Sequence, residues 1–245
     1  MAFAILLASA STAQLCAQAA AGTGQGGPMQ QVPGEGRVVS FQTEDGITLA
    51  GTLYGTGEPA VILAHQGTTG ADQSTWRQFA MVLAANGFSA LAFDFRGVGL
   101  SGGWLDYALL DKDVKAAARF LRSHDHRRIA CVGASMGGTA CMRAALDGEP
   151  FIGIVVLAST LAAGNCYELE VLPGELGALA LPKLFICARD DYGMVVRDTL
   201  SMAELAPEPK SLILLDGYEH GTNLFWTEVG DELTRDLLGF LKSLR

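Results

Sequence analysis

A series of stretches in this chain, AVILAH (60–65), SALAFDF (89–95), RIACVG (128–133), FIGIVVLA (151–158), KLFICA (183–188) and SLILL (211–215), carry apolar residues at consecutive positions. A strand with one wet face alternates apolar and polar residues, so several of these runs must be covered on both faces. The intervening segments supply the covers. Trp76, Phe79, Ala80 and Leu83 recur at three and four residues before a stop at Asn86-Gly87; Leu110, Val114, Ala117 and Leu121 repeat the pattern, as do Leu233, Leu237, Leu241 and Leu244. Each set makes one apolar stripe suited to lie on a sheet. VVSFQT and ITLAGTLY flank an Asp45-Gly46 turn and read as an antiparallel hairpin. The expected fold class is an open, doubly wound α/β domain whose sheet is mostly parallel, with an N-terminal antiparallel hairpin. No internal repeat is visible.

A chain of 245 residues with a 49% hydrophobic share has enough apolar material for a sizeable core. Its 17 basic and 26 acidic residues give a net charge of −9, and no stripe of Lys or Arg matches a phosphate backbone, which argues against nucleic acid as a partner. Residues 1–21 are free of charged side chains and join an apolar run from Phe3 to Ala8 to small residues at Ala17, Ala19, Ala20 and Ala21. They read as a signal peptide without the usual positive start. The expected location is therefore secreted or cell-envelope, and cytoplasmic if the segment is not a signal. A retained anchor, or a lipid on Cys16, is the alternative, and Leu15 before that cysteine argues against the lipid. Membrane association is expected through this segment alone. Residues 22–36, rich in Gly, Gln and Pro, read as a flexible linker, leaving 37–245 as the folded domain.

Beyond Cys16 the cysteines are Cys131, Cys141, Cys166 and Cys187, too few for a disulfide scaffold at this size, although one bridge is compatible with them. Cys131 and Cys187 fall inside strand runs and read as small buried hydrophobes. None has the spacing of a metal ligand set, and no metal is expected.

The pattern G-x-S-x-G occurs twice, as GLSGG (99–103) and GASMG (133–137). In open parallel sheets the reactive groups gather at the carboxyl edge, so a nucleophile should end a strand and open a helix. Ser135 meets that condition, following RIACVG and preceding GGTACMRA. Ser101 lies in a glycine-rich loop well before the next helical pattern and reads as a turn residue bonded to local backbone.

A serine hydroxyl needs a base to take its proton, and the base needs a carboxylate to orient it. Of His65, His124, His126 and His220, only His220 follows both Ser135 and a plausible acid in chain order. Asp190 and Asp191 both leave the sheet at the end of KLFICARDD. Asp191, farther into the loop, is favoured on reach, with Asp190 as the alternative.

Ser, Asp and His at the ends of successive late strands, with GASMGG at a strand-to-helix turn, resemble the α/β-hydrolase superfamily over roughly residues 41–245. AVILAHQG resembles that family's oxyanion loop, DFRGVGLS its D-x-R-G-x-G-x-S loop, LFICARDD its acid-bearing strand, where the match also falls on Asp191, and DGYEHG its histidine loop. The family's usual Gly after the oxyanion-loop histidine is Gln66 here. The resemblance thus implies catalytic Ser135, Asp191 and His220, and an oxyanion hole formed by the amides of Gln66 or Gly67 and of Met136. His65 is expected to shape its loop, and Asp94 with Arg96 to form a structural pair. Between Thr160 and Leu181, where relatives commonly insert helices, the lid is minimal, and its Glu168, Glu170 and Glu175 read as a solvated acidic face.

The chemistry implied is acyl transfer to Ser135 followed by hydrolysis, with no cofactor, on a small-molecule acyl substrate. A carboxylic ester is the expected substrate, with thioester and lactone as variants. A serine peptidase on the same triad, or a non-catalytic ligand receptor of the same fold, is the alternative. Oligomeric state is left open.

Overall fold

In the computed structural model, which describes residues 36–163 and 168–245, the apolar runs assemble into one eight-stranded sheet. The strands are β1 (Arg37–Gln42), β2 (Thr48–Tyr54), β3 (Ala60–Ala64), β4 (Ser89–Phe93), β5 (Ile129–Ala134) and β6 (Gly153–Leu157). A two-residue pair, β7 (Ala162–Ala163) and β8 (Leu169–Glu170), stands outside the sheet, and β9 (Lys183–Ala188) and β10 (Lys210–Leu215) complete it. The order across the sheet is β1-β2-β4-β3-β5-β6-β9-β10. β1 and β2 pair antiparallel, β2 is also antiparallel to β4, and all remaining neighbours are parallel. The expected fold class is the one observed. The proposed signal peptide and nearly all of the linker lie outside the described residues.

The helices are α1 (Arg77–Ala85), α2 (Leu110–Ser123), α3 (Met136–Leu146), α4 (Gly193–Leu205) and α5 (Gly230–Ser243). Strands β3, β4, β5, β6 and β9 are buried at every position, as consecutive apolar residues require. Two cores result. On one face α1 and α5 bring Phe79, Leu83, Leu233, Leu237 and Leu241 against Val61, Leu63 and Val132. On the other, α2 and α3 bring Val114, Leu121, Ala140 and Met142 against Ile62, Leu91 and Val156. The short β7–β8 segment and the 3-10 turn Pro173–Ala178 add Leu169, Val171 and Leu176 to this second core. Glu175 is not merely solvated: a backbone bond from Leu172 and the Arg143 guanidinium at 2.9 Å keep its carboxyl below the ordinary range.

Two registers fix where chemistry can occur. β3 and β5 end together, Ala64 opposite Gly133, so His65–Gly67 and Ala134–Met136 emerge side by side. The chain passes from β3 to β4 on one side and lies against β5 on the other, which makes this junction the reversal point where open α/β sheets form a crevice. β9 and β10 likewise end together, Ala188 opposite Leu215, and their exits stay paired through Arg189 N–H to Leu215 O and Asp190 N–H to Gly217 O. Among the described residues no helix is long and apolar enough to cross a membrane.

Candidate active site

Ser135 connects β5 to α3 with φ 52° and ψ −120°, a left-handed conformation that a residue with a side chain adopts only when its surroundings impose it. The imposition is visible. Its N–H donates to Leu157 O at 2.8 Å, while its own carbonyl accepts from Gly138 and Thr139 as α3 begins. A Cβ on Gly137 would stand 2.4 Å from Ala64 O, so only glycine lets α3 start this close to β3. The hydroxyl of Ser135 makes no hydrogen bond to another side chain among the described residues.

Asp191 and His220 come from the paired exits of β9 and β10. His220 Nδ1 lies 3.0 and 3.1 Å from the two carboxylate oxygens of Asp191, and Asp191 Oδ1 also accepts from Tyr192 N–H at 2.6 Å. The acid is buried and the imidazole side chain 11% exposed. A carboxylate accepts, so Nδ1 carries a proton, and in the neutral ring Nε2 is the nitrogen with the free lone pair. The Tyr192 ring lies beside the imidazole, 5.3 Å between centroids. Asp190 is exposed, and its backbone, not its carboxylate, is tied to the histidine loop.

The oxyanion loop lies against the serine turn. A Cβ on Gly67 would sit 2.8 Å from Met136 Sδ, and neither the Gly67 nor the Met136 amide donates to another group among the described residues. Gln66 is buried, with its side chain turned toward the histidine loop rather than toward solvent. A cavity of about 390 Å³ opens here, lined by Gly67, Thr68, Thr69, Val98, Leu105 and Met136 among others. A larger concavity of about 720 Å³ is lined by Asp216–Glu219, Leu224 and Trp226–Val229; Ser135, Asp191 and His220 line neither of the two.

The remaining histidines are occupied elsewhere. His65 Nε2 accepts from Phe95 N–H at 3.1 Å and Nδ1 donates to Gln66 O at 2.8 Å, which fixes a neutral ring. Burial pushes its pKa below the ordinary value. His126 meets Glu58 at 3.1 Å, just before β3 begins and hence at the opposite edge of the sheet, and His124 reaches Phe120 O at the end of α2. Ser101 accepts from Ala50 N–H and donates to Asp94 O, stitching its loop to β2.

Two expectations need correction. Arg96 does not pair with Asp94, whose carboxylate instead takes the backbone N–H groups of Gln73 and Leu100 and the Gln73 amide. Arg96 binds Asp113 and Asp45, because its fork matches two carboxylates presented from α2 and from the β1–β2 turn. Cys131 is not a free hydrophobe: it is bonded to Cys141, joining β5 to α3 on either side of Ser135. Cys187 is free and buried, its thiol pushed up by burial. The pairing was not legible in sequence because one partner sits on a strand and the other in the second turn of a helix. Among the described residues no group of three His, Cys, Asp or Glu side chains converges on a metal position.

Residues 59–180 match the family model of the alpha/beta hydrolase fold. An uncharacterized protein of Mycobacterium tuberculosis, Rv2307c, is 30% identical over 209 residues, covering 76% of this chain and 72% of its own length. The chain belongs to the α/β-hydrolase fold family. The uncharacterized Escherichia coli protein YfhR is 26% identical, covering 86% of this chain and 82% of YfhR. Among solved structures the Pyrococcus furiosus esterase Pf2001 superposes with a TM-score of 0.73 at 20% identity, over 87% of this chain and 96% of that one. At this identity the likeness is one of fold.

Proposed function

We propose that this α/β hydrolase cleaves a carboxylic ester, or a related thioester or lactone, of a small substrate through an acyl-enzyme on Ser135. The observation that carries the reading is the Asp191–His220 pair, buried at the sheet edge onto which the strained Ser135 turn also opens. In this reading His220 Nε2 takes the Ser135 proton as the hydroxyl attacks the carbonyl, and Asp191 stabilises the imidazolium. The amides of Gly67 and Met136, without other partners among the described residues, receive the negative oxygen; the Gln66 amide is the alternative to Gly67. His220 then protonates the leaving alcohol, and a water activated the same way releases the acid.

The cavity beside the two amides, at about 390 Å³, is near the lower end for ligand sites and suits a short acyl group. Pf2001 being an esterase agrees with this choice over a peptidase. An oxidising location, outside the cytoplasm, accords with both the leader-like residues 1–21 and the buried Cys131–Cys141 bridge.

A fluorophosphonate probe tests the proposal. Labelling is expected on Ser135 alone and is abolished in Ser135→Ala, and hydrolysis of p-nitrophenyl acetate and butyrate is expected to exceed that of long-chain esters. Labelling at Ser101, or none, overturns it.

A further inference from the structure

The family position occupied by glycine is Gln66 here, and a long amide at the heart of the sheet edge calls for a reason. Gln66 is 1% exposed. Its Oε1 accepts from Thr222 N–H at 2.7 Å and from Thr222 Oγ1 at 3.0 Å, across 156 residues of chain. Its Nε2 donates to Thr68 Oγ1 at 3.1 Å. The orientation of this amide is fixed by chemistry, since a backbone N–H can only donate and therefore must face the oxygen. Gly221, between His220 and Thr222, has φ +60°, and a Cβ there would stand 2.1 Å from Gln66 Oε1 and 3.6 Å from the Ala134 Cβ. One side chain therefore touches the oxyanion loop at Thr68 and the histidine loop at Thr222, and the glycine following His220 is seated between it and the residue preceding Ser135.

We infer that Gln66 is a positioning residue, a strut that sets the distance of the His220 backbone from the Ser135 turn and the oxyanion loop. The inference rests on the reading of Ser135, Asp191 and His220 as a triad. Asp191 fixes the rotation and tautomer of the imidazole, but its loop leaves β9, separated from β5 by β6 in the sheet. Nothing in that contact sets how near the ring stands to the serine. The two bonds from Thr222 do, because they anchor the start of the 3-10 turn Gly221–Trp226 directly to the oxyanion loop, two residues beyond the end of β3. Buried bonds of this kind resist sliding, since separating them would leave an amide oxygen unsatisfied. A displacement near 1 Å at a reacting pair costs about a hundredfold in rate.

Three variants test this by the rate of fluorophosphonate labelling at Ser135, which needs no knowledge of the natural substrate. Gln66→Met keeps the length and removes both polar atoms; Thr222→Val removes only the hydroxyl bond; Gln66→Glu keeps an acceptor facing Thr222, and the Thr68 hydroxyl can turn to donate to it. Gln66→Met is expected to label at least tenfold more slowly, and Thr222→Val threefold or more, at a temperature where melting curves show both folded. Gln66→Glu is expected to recover part of the loss above pH 7. The plateau of the rate against pH should fall in Gln66→Met while its midpoint stays, because the Asp191–His220 contact is untouched, and with a p-nitrophenyl ester kcat should drop while KM changes less than threefold. If Gln66→Met does not fold, Thr222→Val decides. Wild-type labelling at Ser135 with undiminished rates in the folded variants overturns the strut alone, whereas absence of wild-type labelling overturns the triad reading and the strut with it.

Discussion

Asp191 holds His220 by a two-oxygen contact at 3.0 and 3.1 Å, and its neighbour Asp190 does not share in it. The difference comes from burial: Asp191 is turned under the loop with Tyr192 N–H on the same oxygen, while Asp190 faces solvent. Replacing Asp191 by Asn presents an amide whose donor end can face the ring and favours the wrong tautomer, so kcat for a p-nitrophenyl ester is expected to fall about 10³–10⁴-fold with little change in melting temperature. Asp190→Asn is expected to stay within threefold of wild type. Equal losses in the two variants would show that the acid has been assigned to the wrong residue.

Arg96 is buried between Asp113, whose side chain is fully buried, and Asp45. The guanidinium holds the Asp45 carboxyl well below the usual carboxylate range. Removing the cation leaves Asp113, whose carboxyl burial already pushes up, with only the Arg96 backbone N–H as partner, which costs about 3–5 kcal/mol, whereas removing both side chains leaves only that N–H uncompensated there. Urea unfolding should therefore find Arg96→Met strongly destabilised and Arg96→Met with Asp113→Leu substantially recovered. A single variant within about 1 kcal/mol of wild type would show that water reaches Asp113.

The contrast between Arg96 and Ser135 shows what one sequence can disclose. The Ser135 turn was legible because local features demand it: an uninterrupted strand, glycines on both sides and a helix beginning at once. The fold was legible for a similar reason, since consecutive apolar residues in β3, β5 and β9 leave no face for water. Gln66 to Thr222, Arg96 to Asp113 and Cys131 to Cys141 are pairings across the chain, set by strand order and helix rotation, and no local pattern encodes them. The departure at Gln66 was visible as an oddity in an otherwise matching loop, but its partner lies two residues beyond the histidine and carries no signature of its own.

The bridge between Cys131 and Cys141 closes a short loop that contains Ser135. Closing a loop of this order stabilises by about 2–3 kcal/mol in chain-entropy bookkeeping. The paired Cys131→Ala, Cys141→Ala variant is expected to lose about that much in urea unfolding. Peptide mapping without reductant, on protein purified from its native compartment, should recover the two cysteines in one linked fragment. Free thiols at both positions would remove the bridge and, with it, the argument for an oxidising location.

His65 couples the same edge of the sheet to pH. Its ring is buried and neutral, accepting from Phe95 and donating to Gln66 O, and burial holds its pKa below the ordinary histidine value. In the unfolded chain the ring takes a proton at about pH 6.5. Below that pH the unfolded state therefore binds more protons than the folded state, and stability is lost as pH falls from the ordinary value toward the depressed one. Wild-type melting temperature should drop between pH 7.5 and 5.5 more steeply than that of His65→Asn, which starts lower but carries no titrating ring at this position. Protonation would also cost the acceptor facing Phe95, loosening the loop that carries Gln66 and Gly67, so ester hydrolysis lost on incubation at pH 5 in wild type should return when the pH is restored. Parallel melting curves for the two proteins across that range would show that the ring does not differ in proton affinity between the folded and unfolded states.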